Sequence, residues 1–144
     1  MTESASQTIT IDATPERCLE VVVDFPSYPD WAKDVKEATV LSRDDDGRAT
    51  AVEFRASALG RSTHYTLAYD YGEAPTGVAW SMVKGDIMRA IDGAYHFSAN
   101  PAGGTDVRYD LSIELVVPLP AFVKRRAEVR ILNTIRELKT RAES

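Results

Sequence analysis

The sequence predicts an α+β fold in which a curled antiparallel β-sheet is wrapped around a long C-terminal α-helix. Three observations predict it. A short capped helix near the start runs into a proline-flanked aromatic stretch, about six segments in the middle alternate apolar and polar residues with period two, and the last stretch has helical periodicity. A sheet with one apolar face must cover that face, and the last helix is the one element long enough to do so.

"SQTITID" places Ile9 and Ile11 on one side of a short strand. "ATPERCLEVVVD" then opens a helix, with Thr14 as N-cap, Pro15 at the first helical position and Glu16 in the first turn, where a negative charge suits the helix dipole. That helix ends in "DFPSYPDW", residues 24–31, which packs Phe25, Tyr28 and Trp31 around Pro26 and Pro29. The prolines break any long helix, yet the aromatics are costly to leave in water, so this elbow must cover apolar surface.

Period two begins after the elbow. "VKEATVLSR" leads to "DDDG", whose Asp46-Gly47 pair signals a hairpin, and "RATAVEFRASA" follows with Val52, Phe54, Ala56 and Ala58 on one side. "RSTHYTLAYDY" sets Tyr65, Leu67, Tyr69 and Tyr71 against His64, Thr66, Ala68 and Asp70. "VAWSMV" brings Val78, Trp80 and Met82 into register, and "IMRAIDGAYHFSA" puts Ile91, Gly93, Tyr95 and Phe97 on one face, with Arg89 in the same parity. "DVRYDLSIELVV" alternates most regularly, Val107, Tyr109, Leu111, Ile113 and Leu115 against Arg108, Asp110, Ser112 and Glu114. The closing helix starts near Pro120, and Val123, Ala127, Ile131, Ile135, Leu138 and Ala142 form its apolar stripe.

A chain of 144 residues is about one domain's worth, large enough to bury a core without staples, and residues 1–144 are expected to form a single domain. The lone Cys18 excludes an internal disulfide and fits a reducing cytoplasm; it falls in a helical run beside Leu19 and Val22, where a thiol acts as a small hydrophobe. "MTESASQTIT" lacks a basic segment followed by an apolar one, and no window is long and apolar enough for a transmembrane span. Net charge is −5, unevenly placed: from Leu119 onward seven basic residues face three acidic ones, a net +4, so the remainder carries −9. That negative body argues against nucleic-acid binding. Lys124, Arg125 and Arg126 could make weak peripheral contact with anionic lipid, or form a solvated helix face.

The inward registers are mostly large: Phe54, Tyr65, Leu67, Tyr69, Trp80, Met82, Tyr95, Phe97 and Tyr109. One helix cannot reach every part of a long curled sheet, so a gap between the two is expected, and concave apolar gaps with a few polar tips are what ligands use. Buried phenols need hydrogen-bond partners; those of Tyr65, Tyr69, Tyr95 and Tyr109 either line such a cavity or reach the rim and one another in a filled core.

The stretches "ATPERCLEVVVDFPSYPDW", "DGAYHF" with "GGTDVRYDLSIEL", and the Lys- and Arg-rich terminal helix resemble the START-like, helix-grip (SRPBCC, Bet v1-like) superfamily, and within it the bacterial polyketide cyclase/dehydrase and lipid-transport branch. The resemblance spans nearly the whole chain. It implies the helix-grip fold and a role among carriers, cyclases and quinone-binding proteins, and it implies that Tyr28 and Trp31 belong to a lid or collar over the cavity mouth. The alternative reading of those two aromatics is a plug at one end of a closed core.

Catalytic candidates are weighed by register. His64 and His96 occupy polar registers, as do Glu53, Asp70, Asp110 and Glu114, so neither a histidine mechanism nor an inward acid pair is supported. The histidines lie far apart with no acid or thiol at ligand spacing, so no metal is expected, and no cofactor-binding glycine loop occurs. What remains inward is tyrosine, tryptophan, hydroxyls such as Thr63, and an arginine, Arg89 or Arg61, which could pair with a ligand carboxylate or phenolate at the cavity mouth or stand in solvent at a strand end. The expected site is therefore Trp31, Phe54, Tyr65, Tyr69, Trp80, Met82, Arg89, Tyr95 and Tyr109. Its expected occupant is a small hydrophobic molecule, lipid, polyketide or quinone-like. The alternatives are an aromatase/cyclase or dehydratase, and a regulatory or toxin-like interaction module.

Overall fold

Local capping fixes the first helix where the sequence places it. In the computed structural model, which describes residues 2–58, 61–72, 76–86, 88–115 and 133–144, strand β1 (Thr2–Ile11) precedes helix α1 (Pro15–Val23). Thr14 caps that helix by accepting the amide hydrogen of Arg17 at 3.2 Å. Phe25–Ser27 then form one 3-10 turn and Tyr28–Trp31 a single helical turn, α2. The prolines sit at the starts of these turns, which lack nothing by losing an amide hydrogen there. The elbow is thus two short turns, not a loop.

Six strands follow: β2 (Val35–Arg43), β3 (Ala49–Ala58), β4 (Arg61–Asp70), β5 (Gly77–Gly85), β6 (Met88–Ala99) and β7 (Thr105–Leu115). All pair antiparallel, and β1 joins β7, giving the spatial order β1-β7-β6-β5-β4-β3-β2. β1 is longer than its sequence pattern suggests because Thr2 through Ile11 pair continuously with Glu114 through Thr105, so the partner strand extends it past its apolar residues. The β2–β3 turn uses Gly47 at φ +82, with Asp44 Oδ1 accepting from the amides of Asp46 and Arg48 at 2.9 Å.

Besides the register shifts between β2 and β3, single-residue bulges in β5 and β6 reset the alternation. In β5, Met82 pairs with Leu67 and Lys84 with Thr66, leaving Val83 unpaired. In β6, Met88 pairs with Leu115 and Ala90 with Glu114, leaving Arg89 unpaired.

The C-terminal helix α3 is described over residues 133–143, where Ile135, Leu138 and Ala142 are buried. Its earlier part, with the expected start at Pro120, the stripe residues Val123, Ala127 and Ile131, and the Lys124–Arg126 triplet, lies outside the described residues. Polar contacts pin the helix in place. Glu137 accepts from the backbone amide of Lys33, just past the elbow, at 3.1 Å; Glu143 accepts from Asp12 N at 2.8 Å; and Lys139 donates to Thr10 O at 2.9 Å. The elbow and the first strand are therefore both tied to the helix that the sheet grips.

Candidate functional site: the concave aromatic face

A connected net of rings lines the concave face of the sheet. It starts at the elbow, where Tyr28 stands 4.9 Å from Trp31 between ring centroids and 5.8 Å from Phe54. Phe25 is its hub, 5.4 Å from Tyr28, 6.1 Å from Phe54 and 4.7 Å from Tyr69. From Tyr69 the net passes to Trp80 at 6.0 Å, and from Trp80 to Tyr95 at 5.3 Å and Tyr109 at 6.1 Å. Tyr95 and Tyr109 meet at 4.8 Å, and Tyr65 joins through Phe54 at 5.4 Å. These separations are those of favourable ring pairs. Eight of the nine residues expected from sequence belong to this packed face; Phe54, Trp80, Tyr95, Tyr109 and Trp31 are buried, and Tyr65, Tyr69 and Met82 are half-buried.

Arg89 is the exception. It is the unpaired residue of the β6 bulge, so the parity it shares with Ile91 and Tyr95 does not carry through; Met88 turns inward in its place. The Arg89 guanidinium is 61% exposed and lies 3.5 Å from Glu114 on the outer side. The expectation of an arginine anchor at this position is corrected accordingly.

Gly93 makes room for the central ring. It pairs with Trp80 across β5 and β6, and a Cβ there would stand 2.6 Å from the indole Nε1, so the indole lies against bare backbone.

The chemistry of the face is that of neutral donors. Burial pushes the hydroxyls of Tyr28, Tyr69, Tyr95 and Tyr109 well above the ordinary phenol value, with neighbouring tyrosines adding to the effect. Tyr65 is pushed up to about 12, first by burial and then by the carboxylate of Asp34. Tyr28 donates to Val22 O at 2.5 Å and Tyr71 to Ala49 O at 2.7 Å. Among the described residues the buried polar side chains are Thr63, Thr66 and Thr105, none ionisable. Thr63 donates to Asp86, and Thr105 donates to Ala13 O at 2.7 Å.

The outer face holds the remaining candidates. His64 and His96 are exposed there, 3.8 Å from Asp86 and 3.7 Å from Asp110. No group of three His, Cys, Asp or Glu able to hold a metal occurs among the described residues. A recess of about 260 Å³ opens beside the β5 bulge, lined by Glu53, His64, Thr66, Lys84 and Asp86 together with Tyr65. Cys18 is buried, and that burial raises its thiol. Sequence reasoning missed two contributors: Phe25, placed in the elbow but not in the site, and Asp34, whose proximity to Tyr65 no register pattern could show.

Comparison with known proteins agrees with this architecture. The family described as polyketide cyclase / dehydrase and lipid transport matches residues 2–143. The chain belongs to that family. Among solved structures, a START superfamily protein from Mycobacterium smegmatis is similar, with TM-score 0.88 and 24% identity over 97% of each chain. The ZhuI aromatase/cyclase from Streptomyces sp. R1128 superposes with TM-score 0.81 at 14% identity, covering 99% of this chain and 94% of that one. Ginseng major latex-like protein 151 from Panax ginseng gives 0.72 at 12% identity over 99% of both. These likenesses establish the helix-grip, START/Bet v1-like fold. Comparison with curated protein sequences finds no match. No helix of the described residues is long and apolar enough to cross a membrane.

Proposed function

We propose that this chain, acting as a single domain in the cytoplasm, binds a small hydrophobic molecule against its concave face, in the class of lipids, polyketides and quinones. One observation carries the reading: a continuous net of rings runs from Trp31 in the elbow to Tyr109 on β7, on the face that α3 and the elbow cover. Each Å² of apolar ligand surface buried there recovers about 25 cal/mol before the costs of association, so aromatic lining suffices for carriage. By the same reading, Tyr28 and Trp31 form the collar of the site.

The family description and the likeness to an aromatase/cyclase support a second reading, a cyclase or dehydratase acting on a polyketide-like chain. Phenols that stay protonated are suited to donate to a developing enolate oxygen. Under that reading Tyr95→Phe abolishes turnover and leaves binding nearly intact.

The deciding experiment is native mass spectrometry of the protein purified without detergent, with solvent extraction of whatever stays bound. A stoichiometric apolar molecule is expected. Apo protein that also takes up nothing from a panel of lipids and quinones overturns the reading.

A further inference from the structure

The recess beside the β5 bulge lies on the outer face of the sheet, away from the concave aromatic face. Thr66 lines it and is 4% exposed, and its Oγ1 is buried without a hydrogen-bond partner. Buried hydroxyls are ordinarily paired, so this one calls for a partner that the described residues do not supply.

Register places charge on either side of that hydroxyl. Thr66 pairs with Glu53 on β3 and with Lys84 on β5, and directly opposed residues project to the same face. A carboxylate and an ammonium therefore flank Thr66, on backbones two strand spacings apart, about 9–10 Å. Among the described residues neither side chain makes an ion pair or a hydrogen bond. Asp86, by contrast, is engaged: it accepts from Thr63 Oγ1 and, at 3.0 Å, from the amide of His64, whose imidazole lies 3.8 Å from the same carboxylate. The recess thus offers one negative head, one positive head and a hydroxyl between them. A simple anion would meet Glu53 as a like charge, and a simple cation would meet Lys84.

We propose that this recess binds a compact zwitterion, a small amino acid whose ammonium faces Glu53 and whose carboxylate faces Lys84 and accepts from Thr66 Oγ1. The site is distinct from the concave face and stands whether or not that face holds a hydrophobic molecule.

The test titrates three probes of one chain length, β-alanine, propionate and propylammonium, into the isotope-labelled full chain and follows the amide resonances. β-Alanine is expected to move the amides of Thr66, Lys84 and Gly85 saturably and to bind about tenfold more tightly than either singly charged probe, each of which trades an attraction for a repulsion. Thr66→Val keeps the side-chain volume and removes the hydroxyl; it should weaken β-alanine about tenfold, the loss of one hydrogen bond to a charged group, with no loss of stability in urea. Glu53→Gln should make β-alanine and propionate bind alike. The inference is overturned by no response to any probe, by equal affinity of β-alanine and a singly charged probe for the unaltered chain, or by shifts confined to Trp80, Tyr95 and Tyr109 on the concave face. Undiminished binding to Thr66→Val overturns the part assigned to the hydroxyl.

Discussion

The two faces of the same sheet are built on opposite plans. The inner face carries rings in contact from strand to strand, whereas the outer face carries short hydroxyls and exposed ion pairs. Ser6 donates to Asp110 at 2.6 Å, Arg108 stands 3.1 Å from the same carboxylate, and Arg55 lies 3.2 Å from Glu37. Exposed pairs of this kind contribute roughly 0–1 kcal/mol each, while a buried aromatic contributes several times that. Stability therefore sits mostly on one face of the sheet, and exposed charge on the other.

The sharpest way to break the comparison is to remove the hub of the inner net and a residue of the outer face in parallel. Phe25→Ala deletes a fully buried ring that touches Tyr28, Phe54 and Tyr69, and should cost about 3–5 kcal/mol. Val83→Ser, at a bulge residue that is 64% exposed, should stay within about 0.5 kcal/mol. Urea unfolding of both variants reads the difference directly. Comparable losses would mean that the rings are not the core.

Gly93→Ala probes the inner face by addition instead of removal. The new methyl would press on the Trp80 indole, which Tyr69, Tyr95 and Tyr109 hold from other sides, and the expected loss is about 1–3 kcal/mol. Pairing it with Trp80→Leu makes the space, so the two losses should be strongly non-additive. Additive losses would mean that the methyl does its damage elsewhere.

The faces should also respond oppositely to pH. Burial raises the inner phenols above their ordinary value of 10.0, so the unfolded chain ionises first and the folded state loses stability as pH climbs from 10 toward the folded values; below that the contribution is complete. On the outer face, the hydrogen bond from Ser6 and then the Arg108 contacts hold the Asp110 carboxyl below its ordinary 3.8, a contribution present above that value and lost as pH falls through the folded one. Tyrosinate absorbance followed alongside unfolding should show Tyr65 and Tyr71 ionising near 12 and the deeper phenols only with unfolding. Ionisation of all six near pH 10 in the folded chain would show that the inner face is wet.

How much of this was legible in the sequence follows from what alternation can and cannot carry. In β7, Val107, Tyr109 and Leu111 face inward as their parity requires, and the Thr14-Pro15 start of α1 is a purely local signal. Parity fails where a bulge inserts a residue, and it says nothing about neighbours across the sheet. Thr66 shows the second limit: it lies in the polar register yet is buried, because Glu53 and Lys84, its partners on β3 and β5, are long side chains flanking a short one. The elbow was legible as apolar cover, but its partners Phe54 and Tyr69 come from strands distant in sequence.

Arg89 shows the first limit and supplies the smallest predicted effect. With its guanidinium exposed and 3.5 Å from Glu114, Arg89→Ala should change stability by no more than about 0.5 kcal/mol and leave the affinity for any apolar ligand unaltered. Deleting the bulged residue altogether is the stricter variant, since it restores continuous pairing and brings Met88 into strict alternation with the inward set. The deletion therefore keeps Met88 on the face of Ile91 and should cost little more stability than the loss of the arginine does. If Arg89→Ala instead weakens ligand binding selectively, the guanidinium reaches the site around the strand edge, and the separation between the two faces is narrower than the static contacts indicate.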